Sequence, residues 1–211
     1  MITKKELQDY AKLKGFNLGN AEKDYLIDIA LLSISRNTKN ELVFKGGTCL
    51  YKFHKLNRFS EDLDFSAVDK IDINNLINKI ILDFERFGIK SHIHQRKELH
   101  NSILIGLRLE GPLFSGKLTT YSNIGIDINL KSSVELEPEF LEYNSLYPNL
   151  AGISVLCMKQ EEIFAEKVRA LITRVRSRDL FDLNFLLMRD IHADKKLIVK
   201  KMGYYNKEFS L

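Results

Sequence analysis

Two short stretches of this 211-residue chain carry side chains suited to phosphate chemistry: Phe44-Lys-Gly-Gly-Thr-Cys-Leu-Tyr51 and Arg58-Phe-Ser-Glu-Asp-Leu-Asp-Phe65. If Asp62-Leu63-Asp64-Phe65 is extended, alternation sets Leu63 and Phe65 on one face and both carboxylates on the other. Like charges that close raise one pKa unless a cation lies between them, so the pair points to Mg²⁺ or Mn²⁺. Gly46 and Gly47 lack Cβ, so after the apolar run Leu42-Val43-Phe44 the backbone can turn sharply and offer N–H groups to an anion. Thr48 would then open a helix whose N-terminus favours phosphate. Lys52, His54, Lys55 and Arg58 lie between the glycines and the acids, within reach of nucleotide or nucleic-acid phosphate, although a solvated helix face has the same pattern.

The elements that must position these residues follow from periodicity. Thr3 and Glu6 form a capping-box pattern for a helix to about Leu13, broken between Gly15 and Gly19. Asn20 can cap a second helix to about Arg36, dense in Leu26, Ile27, Ile29, Ala30, Leu31 and Ile34 and therefore largely buried. A strand near Leu42 to Phe44, a helix from Thr48 to His54 and the acidic strand around Asp62 to Phe65 come next. Asp72 caps a helix ending at Gly88. The period then changes to two, predicting strands over Ile89 to Gln95, Ser102 to Glu110 and Leu118 to Leu130. In the last of these Ile124, Ile126, Ile128 and Leu130 share one face and Asp127 and Asn129 the other, so Asp127 is an acid on a strand whose opposite face is core. From Ser132 to Gly152 the pattern weakens into a loop. Helices are predicted over Lys159 to Arg176 and Leu180 to Met188, followed by a lysine-rich piece after Ala193.

At 24.5 kDa, with 45% hydrophobic and 28% charged residues, the chain fits a catalytic domain with a helical appendage and neither a disordered nor a membrane protein. No apolar run approaches membrane length and no secretory signal is visible, so a cytoplasmic location is expected. Cys49 and Cys157 sit in apolar surroundings, as buried thiols in a reducing compartment do. A net charge of +4 and a pI near 8.9 are compatible with a polyanionic partner.

On the late helix Phe164, Val168, Leu171 and Val175 form an apolar stripe flanked by Lys167 and Arg174, with Glu162, Arg169 and Arg176 on the solvated side. Lys167 could snorkel over the core or neutralise a triphosphate. In Ser177-Arg178-Asp179-Leu-Phe-Asp182-Leu, capping by Ser177 or Asp179 and a dipole role for Asp182 stand beside functional roles.

The glycine turn, Ser-x-Asp-x-Asp, the later strand aspartate, Ala165-Glu-Lys167 and Arg178-Asp179-Leu-Phe-Asp182-Leu together resemble the AbiEii/AbiGii-type nucleotidyltransferase toxins. These are a branch of the DNA polymerase beta-like superfamily that includes the MenT toxins. The likeness runs from about Leu42 to Leu186. It implies an α+β fold, a nucleotidyltransferase core with a mixed sheet flanked by helices, plus N- and C-terminal helical additions. The expected division is residues 1–150 for the core with its N-terminal helices and 151–211 for a C-terminal helical region completing the active site. Carried over by position, Gly46, Gly47 and Thr48 would bind the triphosphate and Ser60 would match the serine of the first acidic motif. Asp62 and Asp64 would hold the metals, with Asp127 as the third carboxylate. Lys167 would contact phosphate and Asp179 would be the aspartate of the fourth motif. The chain ends soon after that motif, so any larger C-terminal region of longer relatives is expected to be short or absent.

The implied reaction is Mg²⁺-dependent transfer of NMP from an NTP to an RNA acceptor such as a tRNA 3′ end, with Arg174 or Arg178 assisting Lys167 on the phosphates. Arrested translation would be the outcome, and a cognate antitoxin the partner. The alternatives are a small-molecule or protein acceptor, or a noncatalytic RNA- or partner-binding module; paired acids whose repulsion costs stability argue against the last. His92, His94 and His100 could ligate zinc, but without a defined fourth ligand they read better as surface histidines of an edge strand.

Overall fold

The structure, a computed structural model, describes residues 1–131, 133–174 and 176–203. Helix α1 (Lys4–Lys14) starts on the expected capping box, with the Thr3 hydroxyl accepting from the Glu6 N–H and the Thr3 N–H donating to Glu6. Gly15 ends it in the left-handed region. Helix α2 (Leu18–Asn37) is capped by Asn17, not by Asn20; the Asn20 N–H is the donor to the Asn17 side chain. Strand β1 (Leu42–Lys45) runs directly into α3 (Gly46–His54), which begins at the glycines and not at Thr48. Then follow β2 (Leu63–Ala67), α4 (Ile73–Arg86) with its Asp72 cap, β3 (Ser91–Glu98) and β4 (Ser102–Leu109).

The strand expected over Leu118 to Leu130 divides into a 3-10 turn at Leu118–Thr120 and β5 (Ser122–Asn129). Two strands were not anticipated in the region read as loop and in the residues after it, β6 (Glu139–Tyr143) and β7 (Ile153–Cys157). Helices α5 (Gln160–Thr173), α6 (Ser177–Leu187) and α7 (Lys195–Gly203) complete the chain. Ser132 and Val175, which entered the expected boundaries and stripe, lie outside the described residues.

All seven strands form one mixed sheet in the order β3-β4-β5-β2-β1-β7-β6. β2, the central strand, pairs antiparallel with β1 and parallel with β5, and β7 joins β1 in parallel, bringing the C-terminal segment inside the sheet next to the β6 edge. Leu63, Phe65, Ile124, Ile126 and Ile128 are buried in the core. α2 packs along the sheet against β5, β7 and α4 and is buried almost throughout from Ala21 to Ile34. Cys49 and Cys157 are both fully buried, and burial together with Cys157 raises the Cys49 thiol well above its usual value. Among the described residues no helix is long and apolar enough to cross a membrane.

Candidate active site

Strand register assembles the acids. Lys45 on β1 stands opposite Asp64 on β2, and Asp64 stands opposite Asp127 on β5, so three adjacent strands present one cation and two carboxylates at the same level. Asp62 immediately precedes β2, two residues before Asp64. The cleft in front has a volume of about 310 Å³, and its other wall is formed by Glu166, Lys167 and Arg169 of α5 and by Arg174, which ends that helix. Ser102 and Asn129 line it as well.

The electrostatics match this crowding. Burial, with Asp62 and Asp127, pushes the Asp64 carboxyl up to about 6 against the pull of Lys45 and Lys167. Asp127 is also raised, chiefly by burial, and its Oδ1 is buried without a hydrogen-bond partner. Ser102 bonds to the Asp127 carboxylate, leaving Oδ1 without a donor, and desolvated, mutually repelled carboxylate oxygens of this kind are the hard ligands that Mg²⁺ or Mn²⁺ takes. The residues therefore fit such an ion, although among the described residues no three acidic, histidine or cysteine side chains form a preassembled ion cage. Asp62 is exposed, with Arg178 Nη1 3.7 Å from its Oδ2.

The glycine pair works by clearance. Gly46 has φ +77°, and a Cβ there would lie 2.4 Å from Asp64 Oδ2, so only glycine allows both the turn and the carboxylate. A Cβ on Gly47 would lie 2.6 Å from Arg58 Nη2 and 2.9 Å from Ser60 Oγ. Thr48 is fully buried and donates its hydroxyl to Ser60 at 2.9 Å. Gly47, Thr48 and Ser60 thus stand behind Gly46 and do not line the cleft.

Lys167 is held from below. Its ammonium lies 2.9 Å from Asp179 Oδ1 and 2.6 Å from Asp182 Oδ2, both aspartates being fully buried. Burial opposes the Asp179 charge, but the Lys167 hydrogen bond and nearby Arg174 and Arg178 outweigh it and lower its pKa. Asp182 also accepts two hydrogen bonds from Arg58, at 2.6 and 2.7 Å. These contacts supersede the helix-start role: α6 is capped at Arg176 with no side-chain cap bond. Arg178 belongs to α6 rather than continuing α5.

Sequence reasoning missed Lys45, Glu166 and the pairing role of Asp182. Glu166 is bonded at 3.2 Å to both Lys45 and Lys201 of α7. Burial would raise its pKa, yet Lys45, Lys201 and Arg169 bring it down to about 2. Glu162, expected on the solvated side, is fully buried, accepting the N–H groups of Glu135 and Leu136 and the Lys201 ammonium. The available signal was weak: Glu162 and Glu166 recur at i and i+4, a spacing equally consistent with an exposed helix face.

Residues 30–211 match the family described as "Nucleotidyl transferase AbiEii toxin, Type IV TA system". The chain belongs to the AbiEii nucleotidyltransferase toxin family. It is a nucleotidyltransferase, the toxin of a type IV toxin–antitoxin system. No curated protein matches it. Among solved structures it is similar to MenT4, the nucleotidyltransferase toxin Rv2826c from Mycobacterium tuberculosis H37Rv, with TM-score 0.70 and 23% identity over 94% of this chain and 68% of that one. It is also similar to JHP933 from Helicobacter pylori, with TM-score 0.56 and 24% identity over 80% of this chain and 66% of that one. The AbiEii chain thus spans about two-thirds of the length of these structures, and at such identities the likeness is one of fold.

Proposed function

We propose that this AbiEii protein transfers NMP from an NTP to an RNA 3′ end, such as that of tRNA, in a divalent-cation-dependent reaction that blocks translation in the cytoplasm. The observation that carries the reading is the register placing Asp64 beside Asp127 in a cleft whose far wall holds Lys167. Asp62, Asp64 and Asp127 would hold Mg²⁺ or Mn²⁺, which when bound would neutralise phosphate charge and acidify the attacking hydroxyl.

The chain's own groups do the positioning. Lys167, fixed by Asp179 and Asp182, presents its ammonium to the nonbridging phosphate oxygens as the RNA hydroxyl attacks the α-phosphorus. The bond to the leaving oxygen breaks, pyrophosphate departs, and Arg174 and Arg178 offset its charge. Gly46 N–H and its flanking amides approach the triphosphate closely because no Cβ intervenes, with Gly47, Thr48 and Ser60 keeping that turn in place. The region after residue 150 completes the site by supplying Lys167 and its two aspartates, and the mild positive charge favours an RNA acceptor. A cognate antitoxin is the protein partner.

The test is transfer of label from α-³²P-labelled nucleotides to bulk tRNA with Mg²⁺. Labelled tRNA is expected with at least one nucleotide and should disappear with Asp62→Ala or Asp64→Ala. No labelling with any of the four would overturn the reading.

A further inference from the structure

A second cavity, of about 540 Å³, lies between the turn joining α1 to α2, the end of α3, the segment leading to Asp62, and β6. Five half-buried aromatic rings line it: Phe16, Tyr51, Phe53, Phe59 and Tyr143. Phe59 stands 5.3 Å from Phe16 and 5.9 Å from Tyr51 between ring centroids, both edge-on, and Phe53 stands 5.9 Å from Tyr143. Rings this close in a core interdigitate until no space is left; here they surround one.

The rings are fixed by charge beneath them. Lys52 is buried against Asp24 and Asp28, at 2.6 and 2.5 Å, and its ammonium lies 5.1 and 5.2 Å from the Tyr51 and Tyr143 centroids. The Tyr51 hydroxyl donates to Asp24 at 2.8 Å. With Lys14 and Lys52 neutralised by those aspartates, the interior does not call for a charged ligand. The rim differs: Lys55 is exposed at the end of α3, Glu142 is exposed on β6, and Asn57 and Asn144 are exposed amides able to donate and accept. Flat apolar walls and an amide rim suit an uncharged aromatic ring, and Lys55, on the α3 side of a rim whose β6 side carries Glu142, is the cation for the anionic backbone that bears it.

Position adds the second argument. Arg58 lines this cavity while its guanidinium grips Asp182, the partner of Lys167, so a chain of contacts, Arg58 to Asp182 to Lys167, links it to the cleft. Phe59, in the second cavity, precedes by three residues the carboxylate of Asp62 and by five that of Asp64, which lines the first. We propose that the aromatic cavity binds an unpaired nucleobase of the RNA acceptor, stacked on Phe59 and its neighbours, with the adjoining phosphate at Lys55. This rests on the RNA-acceptor reading above and specifies how the single-stranded end is held near the cleft.

The experiment measures fluorescence anisotropy of two labelled RNA hairpins, one with a four-nucleotide unpaired 3′ overhang and one blunt, on the full chain without NTP. The wild type should prefer the overhang. Phe59→Leu should weaken overhang binding roughly tenfold, the scale of one lost base–aromatic stack, and leave blunt binding unchanged. Lys55→Glu, at an exposed position, should weaken it too. Equal wild-type affinity for both hairpins, or wild-type overhang affinity in both variants, overturns the proposal. So does loss of neutralisation by the cognate antitoxin with RNA affinity intact, which would assign the cavity to a protein. Label transfer run in parallel separates the two readings. Absence of transfer to any RNA defeats the acceptor reading while anisotropy still decides the cavity; transfer with unaltered KM for RNA in both variants defeats the cavity alone.

Discussion

At the scale of single residues, Asp64 sets stability against chemistry. Burial and two acidic neighbours disfavour the charge and push its carboxyl up to about 6, well above an ordinary aspartate. A pKa raised by folding means that the stabilising contribution is complete below the unfolded value near 3.8 and is lost as pH rises through about 6. Without divalent cation at pH 7.5, Asp64→Asn should therefore stabilise the fold by about 2 kcal/mol, or about 5 °C in Tm. The gain should vanish near pH 4, and thermal melts at the two pH values check the sign. Transfer activity should be lost in the same variant. Mg²⁺ should raise the Tm of the wild type and not of the variant, since a ligand that binds only the native state stabilises it. Asp182 behaves oppositely, being buried and bonded to two cations. Asp182→Asn should cost about 3–5 kcal/mol in denaturant unfolding, the range for breaking a buried ion pair.

At the scale of elements, much of the site was legible because its signals are local. The acids of β2 and β5 alternate with core residues, so their face could be read from period two. Lys167 was readable as the flank of a helical stripe. What escaped depends on which elements meet. Lys45 becomes a site residue only through its antiparallel register with Asp64, and Glu166 only because α7 delivers Lys201 from 35 positions further along the chain. β6 and β7 were invisible for a related reason: each is five residues long, and their order beside β1 is a long-range pairing. The Glu166 carboxylate, held near about 2 by Lys45, Lys201 and Arg169 against burial, is the joint between α5, α7 and β1. Its depressed pKa gives stability that is present above pH 4.5 and lost as pH falls toward 2. Glu166→Gln should remove that acid-limb loss in a pH titration of stability, and by freeing Lys45 it should lower kcat about tenfold. Unchanged kcat would confine Glu166 to structure.

At the scale of the whole molecule, the site is a product of complete folding rather than of any one segment. Arg58 and Asp182 are separated by 124 positions, and their paired hydrogen bonds tie the loop before β2 to α6. β7 inserts the C-terminal segment beside β1, so α5 starts two strands from β2 and lays Lys167 across from Asp64. Catalysis and integrity should thus separate in a predictable way when the AbiEii toxin is induced in a bacterial host. The wild type should arrest growth. Asp64→Ala should accumulate as folded protein and leave growth unaffected, because it removes an ion-holding acid while relieving repulsion. Asp182→Asn should also restore growth, but through reduced soluble protein as well as lost activity. Growth curves paired with quantitation of soluble toxin distinguish the two routes. Arrest by Asp64→Ala at wild-type abundance would mean that toxicity does not pass through the carboxylate cleft.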